Sequence, residues 1–199
     1  MKIKERLQKY FREKSAFRIT TDMLFYVLIL AVLLPFSRKH VMTGFNRAIM
    51  VRPSIINDAR QIELSDADYE WVVADLDGGL VSFDTMKGKL VFLNIWATWC
   101  PPCRAELPNI QKLYNDYGDR IIMILASNED EQKLKMFLEE SGYDLPVYRM
   151  VQNPPEVFQS SSIPTTFLIT PGGRITVRKT GSARWDGKFF TSYLDKFLE

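Results

Sequence analysis

The chain has 199 residues, 46% of them hydrophobic, and a formal net charge of +2. That length buries one sizeable core and leaves residues over for an anchor or tail. A balance so close to neutral carries no electrostatic footprint for nucleic acid, which excludes that class of partner at the level of composition.

The charge is unevenly placed. A basic N-terminal segment, residues 1–22, holds Lys2, Lys4, Arg6, Lys9, Arg12, Lys14 and Arg18 against Glu5, Glu13 and Asp22. An apolar run over 23–36 follows, interrupted by Pro35. As a helix this run is about 21 Å long, against roughly 30 Å of bilayer hydrocarbon. Extending it to about 17–37 lengthens the span and brings in Arg18, which can snorkel to the headgroups. A cleaved signal peptide fits poorly: the basic segment is long, and Leu33-Leu-Pro-Phe-Ser-Arg-Lys39 offers no small-x-small cleavage site. A buried helix of a soluble domain is the alternative. The reading favoured here is a single uncleaved signal anchor, one transmembrane helix with its basic end cytoplasmic and the rest of the chain extracytoplasmic, on the periplasmic or cell-surface side. Arg38, Lys39, Arg47 and Arg52 beyond the run oppose that orientation.

Residues 37–65 show no clean periodicity and read as a linker, with a folded domain over 66–199. Glu70–Asp75 and Leu80–Asp84 flank Asp77-Gly78-Gly79, the pattern of a β-hairpin. Lys87-Gly88-Lys89 is a second turn, and Leu90–Trp96 is a nearly continuous apolar run, as in a central strand covered on both faces. Leu107, Ile110, Leu113, Tyr114 and Tyr117 then recur at helical spacing up to Gly118, with Pro108 predicting a kink or a distorted first turn. A strand over Ile121–Leu125, a helix over Asp130–Glu140, a strand over Pro146–Met150 and a short helix over Pro154–Ser160 follow. Thr165–Ile169 and Arg174–Lys179 flank Pro171-Gly172-Gly173 as a second hairpin. A final helix carries Phe190, Tyr193, Leu194, Phe197 and Leu198 on one face. This order predicts an α/β mixed sheet with helices on both faces and an extra N-terminal hairpin.

Cys100 and Cys103 are the only cysteines, two residues apart where the central strand runs into a helix start. A helix N-terminus presents free N–H groups and partial positive charge, both of which favour a thiolate, the species that attacks disulfides. A bridge with this spacing closes a very small loop and constrains the unfolded chain little, so a working dithiol fits better than a structural staple. Half of a zinc site is the competing reading. Zinc requires four ligands, and the chain offers no further cysteine and one histidine, His40. No metal and no cofactor beyond the redox-active Cys100–Cys103 pair is expected.

Trp99-Cys-x-x-Cys103 at a strand-to-helix junction, Ile163-Pro164-Thr165 opening a later strand and a closing ββα unit together resemble the thioredoxin superfamily over roughly residues 65–199. The stretch Leu93-Asn-Ile-Trp-Ala-Thr-Trp-Cys-Pro-Pro-Cys-Arg-Ala-Glu-Leu-Pro108 is most similar to its TlpA/ResA-like members, membrane-anchored extracytoplasmic thiol–disulfide oxidoreductases. The resemblance implies that Cys100 sits at an exposed helix end as the attacking thiolate, and that Cys103, one turn in and buried, resolves the mixed disulfide. Pro101 and its neighbour Pro102 preset the helix start and leave the Cys103 N–H as a partner for the Cys100 sulfur. Glu106 stands where the family carries a glutamate that moves a proton for the buried cysteine, although acidic residues are also simply favoured in a first helical turn. Thioredoxins themselves carry an acid six positions before the first cysteine, where this chain has Asn94.

Pro164 matches the superfamily's cis-proline, with a strand-opening trans-proline as the plain alternative. Ile163 before it would offer main-chain hydrogen bonds to a bound peptide. Trp99 reads as part of the apolar rim around Cys100, and Trp96 as core. The implied activity is disulfide exchange with protein substrates. The implied direction is reduction, as in cytochrome c maturation, with apocytochrome c as a client and a membrane dithiol as electron donor. A disulfide oxidase or isomerase, and a redox-silent client-binding module, are the alternatives.

Overall fold

The computed structural model describes residues 16–33, 50–57 and 60–198. The chain divides into two units, 1–44 and 45–199. In the first, helix α1 covers Ala16–Leu33, with the Thr21 hydroxyl donating back to the Phe17 carbonyl at 2.9 Å. Its apolar side chains Met23, Leu24, Phe25 and Val27 are exposed. No helix among the described residues is long and apolar enough to cross a membrane. Residues 1–15 of the expected basic segment, residues 34–36 of the expected anchor and residues 37–49 of the expected linker lie outside the described residues.

The second unit is built on one eight-stranded mixed sheet. In chain order its strands are β1 (Ile62–Glu63), β2 (Val72–Asp75), β3 (Leu80–Ser82), β4 (Val91–Ile95), β5 (Ile122–Ser127), β6 (Val147–Met150), β7 (Thr165–Ile169) and β8 (Arg174–Thr180). Its helices are α2 (Asp66–Tyr69), α3 (Pro101–Tyr117), α4 (Glu131–Ser141) and α5 (Lys188–Asp195). Across the sheet the order is β1-β8-β7-β4-β5-β6-β2-β3. The β4–β5 and β5–β6 pairs are parallel, and the other pairs are antiparallel. β4 lies near the middle and all five of its residues are buried, which is why its sequence, Asn94 apart, is apolar without alternation.

Alternate residues of β4 feed two cores. Phe92 joins the core that contains Cys103, Leu107 and Ile110 of α3, Leu134 of α4 and Phe190 and Leu194 of α5. Val91, Leu93 and Ile95 join the opposite core with Tyr69, Trp71, Phe83 and Phe158. The long helices therefore share one face, and the expectation of helices on both faces holds only for short elements. The second face is covered by α2 and by the 3₁₀ turns Phe83–Met86 and Glu156–Phe158. The reason is topological. The crossovers β4-α3-β5 and β5-α4-β6 step in the same direction across the sheet, and right-handed crossovers that step the same way place their helices on the same side.

Helix termini follow local chemistry. Asp130 caps α4 by accepting from the Gln132 N–H at 2.9 Å, and Gly142 closes it in the left-handed conformation at φ 66°. α3 runs through Pro108 as one element. The folded domain also reaches back beyond the expected boundary at 66. Pro53 and Leu64 are buried, Val51 bridges Ala183, the Ile56 N–H donates to the Thr176 carbonyl at 2.7 Å, and β1 pairs with β8. A two-residue strand is too short to show a period, so this segment reads as linker in sequence while pairing with the sheet edge.

Candidate active site

Cys100 is the N-cap of α3, and its sulfur accepts from the Cys103 N–H at 3.2 Å. Pro101 and Pro102 occupy the first two helical positions, where a missing N–H leaves no hydrogen bond unmade. The cysteines are joined as a disulfide with a Cα–Cα distance of 5.3 Å. Cys103 is fully buried, as expected of the inner residue. Cys100 is only 3% exposed, which corrects the expectation of an exposed helix end. Its cover is the segment before β7: the Ile163 carbonyl oxygen lies 3.7 Å from the Cys100 sulfur. The Ile163–Pro164 peptide is cis, with Ile163 half-buried and Pro164 buried.

The two tryptophans diverge as their positions suggest. Trp96 is core, its ring packed against Phe137 at 5.5 Å between centroids, whereas Trp99 is 64% exposed beside Cys100. Between Trp99 and Ile163 opens a cleft of about 410 Å³, lined among others by Trp96, Asn128, Phe158 and Gln159. None of its lining residues is charged.

Glu106 is completely buried. Its Oε1 accepts from Asn94 Nδ2 at 3.0 Å. Its Oε2 accepts from the Ala183 N–H at 3.0 Å and from Trp185 Nε1 at 2.9 Å. Burial pushes its pKa up to about 7, while the donors from Trp185, Ala183 and Asn94, and the positive charge of Lys179, pull against that rise. Asn94 also donates to Thr166 Oγ1 at 2.7 Å. Sequence reasoning found Glu106 and noted Asn94. It missed Ala183, Trp185 and Thr166, because their separation from Glu106 and Asn94 along the chain carries no periodic signal.

A second buried carboxylate was also missed. Glu129, in the turn after β5, accepts from the Thr98 N–H and, at 2.8 Å, from the Thr98 hydroxyl, and it pairs with Lys133. Burial raises its pKa, but the Lys133 ammonium and the two Thr98 donors outweigh that and hold it below the usual carboxylate value. Thr98 stands immediately before Trp99-Cys100, so Glu129 pins the loop that presents the dithiol.

Residues 57–178, a span that includes both cysteines and Pro164, match the AhpC/TSA family. The chain belongs to the AhpC/TSA family. Within this thioredoxin-like family it is similar to the thiol-disulfide oxidoreductase ResA of Bacillus subtilis (strain 168), at 36% identity over 126 residues, which are 60% of this chain and 68% of that protein. It is likewise similar to ResA of Halalkalibacterium halodurans, at 36% identity over 114 residues, 56% of this chain and 65% of that protein. Among solved structures, the fold is similar to a thiol:disulfide interchange protein of the thioredoxin family from Chlorobium tepidum TLS. The TM-score is 0.57 at 24% identity, covering 72% of this chain and all of that one. A DsbE-type interchange protein from Chlorobium tepidum gives 0.56 at 20% identity, over 65% of this chain and 93% of that one. This AhpC/TSA member is a thiol–disulfide oxidoreductase with a thioredoxin-like fold.

Proposed function

We propose that the chain is a membrane-held reductase of protein disulfides, working outside the cytoplasm through Cys100 and Cys103. The observation that carries the direction is the buried Glu106 carboxyl one helical turn beyond Cys103. A thiolate formed beside a carboxylate in a dry core is disfavoured by like charge, so the reduced pair gains little stability and gives up its electrons readily.

In the reduced enzyme, the Cys100 thiolate is stabilised by the Cys103 N–H and the start of α3. It attacks one sulfur of a client disulfide, forming a mixed disulfide and releasing the other client sulfur as a thiolate. Cys103 passes its proton toward Glu106 and attacks the Cys100 sulfur, which closes the enzyme disulfide and releases the second client thiolate. Two electrons thus move from enzyme to client. A membrane dithiol returns them to the enzyme.

Ile163 lies on the rim between Cys100 and the cleft, where its main chain can pair with an extended client. The uncharged lining of the cleft fits an apolar peptide segment, with Trp99 as an exposed contact. The family resemblance supports apocytochrome c as a client. The exposed apolar side chains of α1, following a basic N-terminal segment, support the anchor.

The steady-state redox form of the pair in intact cells, read by alkylation of free thiols, tests the direction. A mostly reduced pair in the membrane fraction is expected. A mostly oxidised pair would make the protein an oxidase.

A further inference from the structure

Asn94 presents a puzzle. The side chain is completely buried, and its Oδ1 has no hydrogen-bond partner among the described residues. Its Nδ2 makes both of the bonds the amide has, to Glu106 Oε1 at 3.0 Å and to Thr166 Oγ1 at 2.7 Å. An orphaned acceptor in a dry core is destabilising, and cores rarely retain one without a reason. Asn94 and Thr166 are cross-strand partners in the β4–β7 register, so all three groups are held by rigid elements.

The two polar ends of an amide are nearly equal in shape and opposite in hydrogen-bonding sense. Rotating the Asn94 amide by half a turn places Oδ1 where Nδ2 now lies, facing Glu106 Oε1 and Thr166 Oγ1. In that orientation it accepts from a protonated Glu106 and from the Thr166 hydroxyl, which can donate as well as accept. Glu106 Oε2 keeps its bonds from Ala183 and Trp185 in both states. We propose that Asn94 is a two-state positioning residue for Glu106. It donates through Nδ2 to the carboxylate and, with its amide turned over, accepts through Oδ1 from the carboxylic acid. The orphaned Oδ1 is the half of the device that the charged state leaves idle.

This deepens the reading of Glu106 as the proton partner of Cys103 and rests on it. The charged group bearing on Glu106 is Lys179 on β8, and Cys103, joined to Cys100 in the disulfide, stands one helical turn before it on α3. Arg184, between its two donors in the Ala183–Trp185 segment, is exposed. An aspartate at 94 would set a second carboxylate beside the first, and an aliphatic residue would serve neither state. Asparagine matches both without adding charge. Glu106 can then lose and regain its proton with the same number of hydrogen bonds, which suits a group that cycles once per turnover.

The test uses the full chain in detergent, oxidised so that neither cysteine titrates, with labelled Asn and Thr side chains and labelled Glu carboxyl carbons. Nuclear magnetic resonance follows the Glu106 carboxyl carbon through its transition. It also follows the cross-peaks between the Asn94 amide protons and Thr166. The cross-peaks should be strong above the Glu106 midpoint and lost below it, because the amide protons turn away from Thr166. Cross-peaks of equal strength on both sides would overturn the proposal. In a second measurement, Asn94→Leu should move the Glu106 midpoint by less than about half a unit, because partners of both protonation states are removed together. A fixed donor would instead give a rise of about one to two units, and that rise would overturn it. Neither readout depends on whether Cys103 uses Glu106, which the pH profile of exchange addresses separately.

Discussion

The indole Nε1–H of Trp185 donates to Glu106 Oε2 at 2.9 Å, tying the segment after β8 to the active-site helix across 79 positions of sequence. The neighbouring Ala183 N–H bonds the same oxygen. The carboxyl one turn beyond Cys103 on α3 is thus held from outside its own helix, and its titration is coupled to the packing of the C-terminal part of the domain.

Stability should therefore depend on pH in a defined direction. The folded-state pKa of Glu106, about 7, lies above its ordinary value of 4.5. The folded protein binds this proton more tightly than the unfolded chain. The contribution is fully present below pH 4.5 and is lost as pH rises through 7. The difference amounts to roughly 3 kcal/mol. Denaturant unfolding of the oxidised protein at pH 5 and pH 8 should show stability falling over that window, and Glu106→Gln should flatten the slope.

Glu106→Gln should also slow exchange. Removing the group proposed to move the Cys103 proton is expected to lower the resolving step by about ten- to a hundredfold, within or just below the usual range of general acid–base contributions. Rapid-mixing kinetics separate the steps: attack by Cys100 should be nearly unchanged, and closure of the enzyme disulfide should be slow with an altered pH profile.

Trp185→Phe keeps the aromatic packing against Phe92 and Phe190 but removes one donor to Glu106. A buried carboxylate that loses a hydrogen bond is destabilised by about 1–3 kcal/mol. The Glu106 midpoint should rise and stability at pH 8 should drop more than at pH 5. Equal losses at both values would mean that the indole contributes only packing.

Glu129→Ala leaves the buried Thr98 N–H and hydroxyl without their acceptor and should cost about 1–3 kcal/mol. It should also loosen the loop that carries Trp99 and Cys100, raising the alkylation rate of Cys100 in the reduced protein. Glu129→Gln, which retains an acceptor oxygen, should restore most of both properties.

Trp99→Ala is expected to leave stability within about 0.5 kcal/mol of the parent, because the residue is 64% exposed. Its effect should fall on clients. KM for a protein disulfide should rise severalfold, while reduction of a small disulfide remains unchanged.

How much of this was readable beforehand follows from the range of each interaction. The strand before Cys100, the amphipathic α3 and the two glycine-marked hairpins rest on local periodicity and turn chemistry, and they were legible. So were Cys100, Cys103 and Glu106, which lie within one motif. The grouping of α3, α4 and α5 on one face was not, because it depends on the direction in which β4, β5 and β6 are ordered across the sheet. The partners of Glu106 were hidden for a related reason: Ala183 and Trp185 reach it only once the β7–β8 hairpin has folded back. Glu129 gave no signal because its partner Thr98 lies 31 residues earlier. The burial of Cys100 depends on Ile163, which is 63 residues further along the chain.

The central claim is that Cys100 attacks and Cys103 resolves. Cys103→Ser tests it most directly, because the variant keeps the attacking sulfur and removes the resolving one. Expressed in cells, Cys103→Ser should accumulate as a reductant-sensitive mixed disulfide through Cys100 with an extracytoplasmic protein, and the Cys100→Ser, Cys103→Ser double variant should capture none. A Cys103→Ser protein that stays free of any client disulfide would contradict the exchange mechanism.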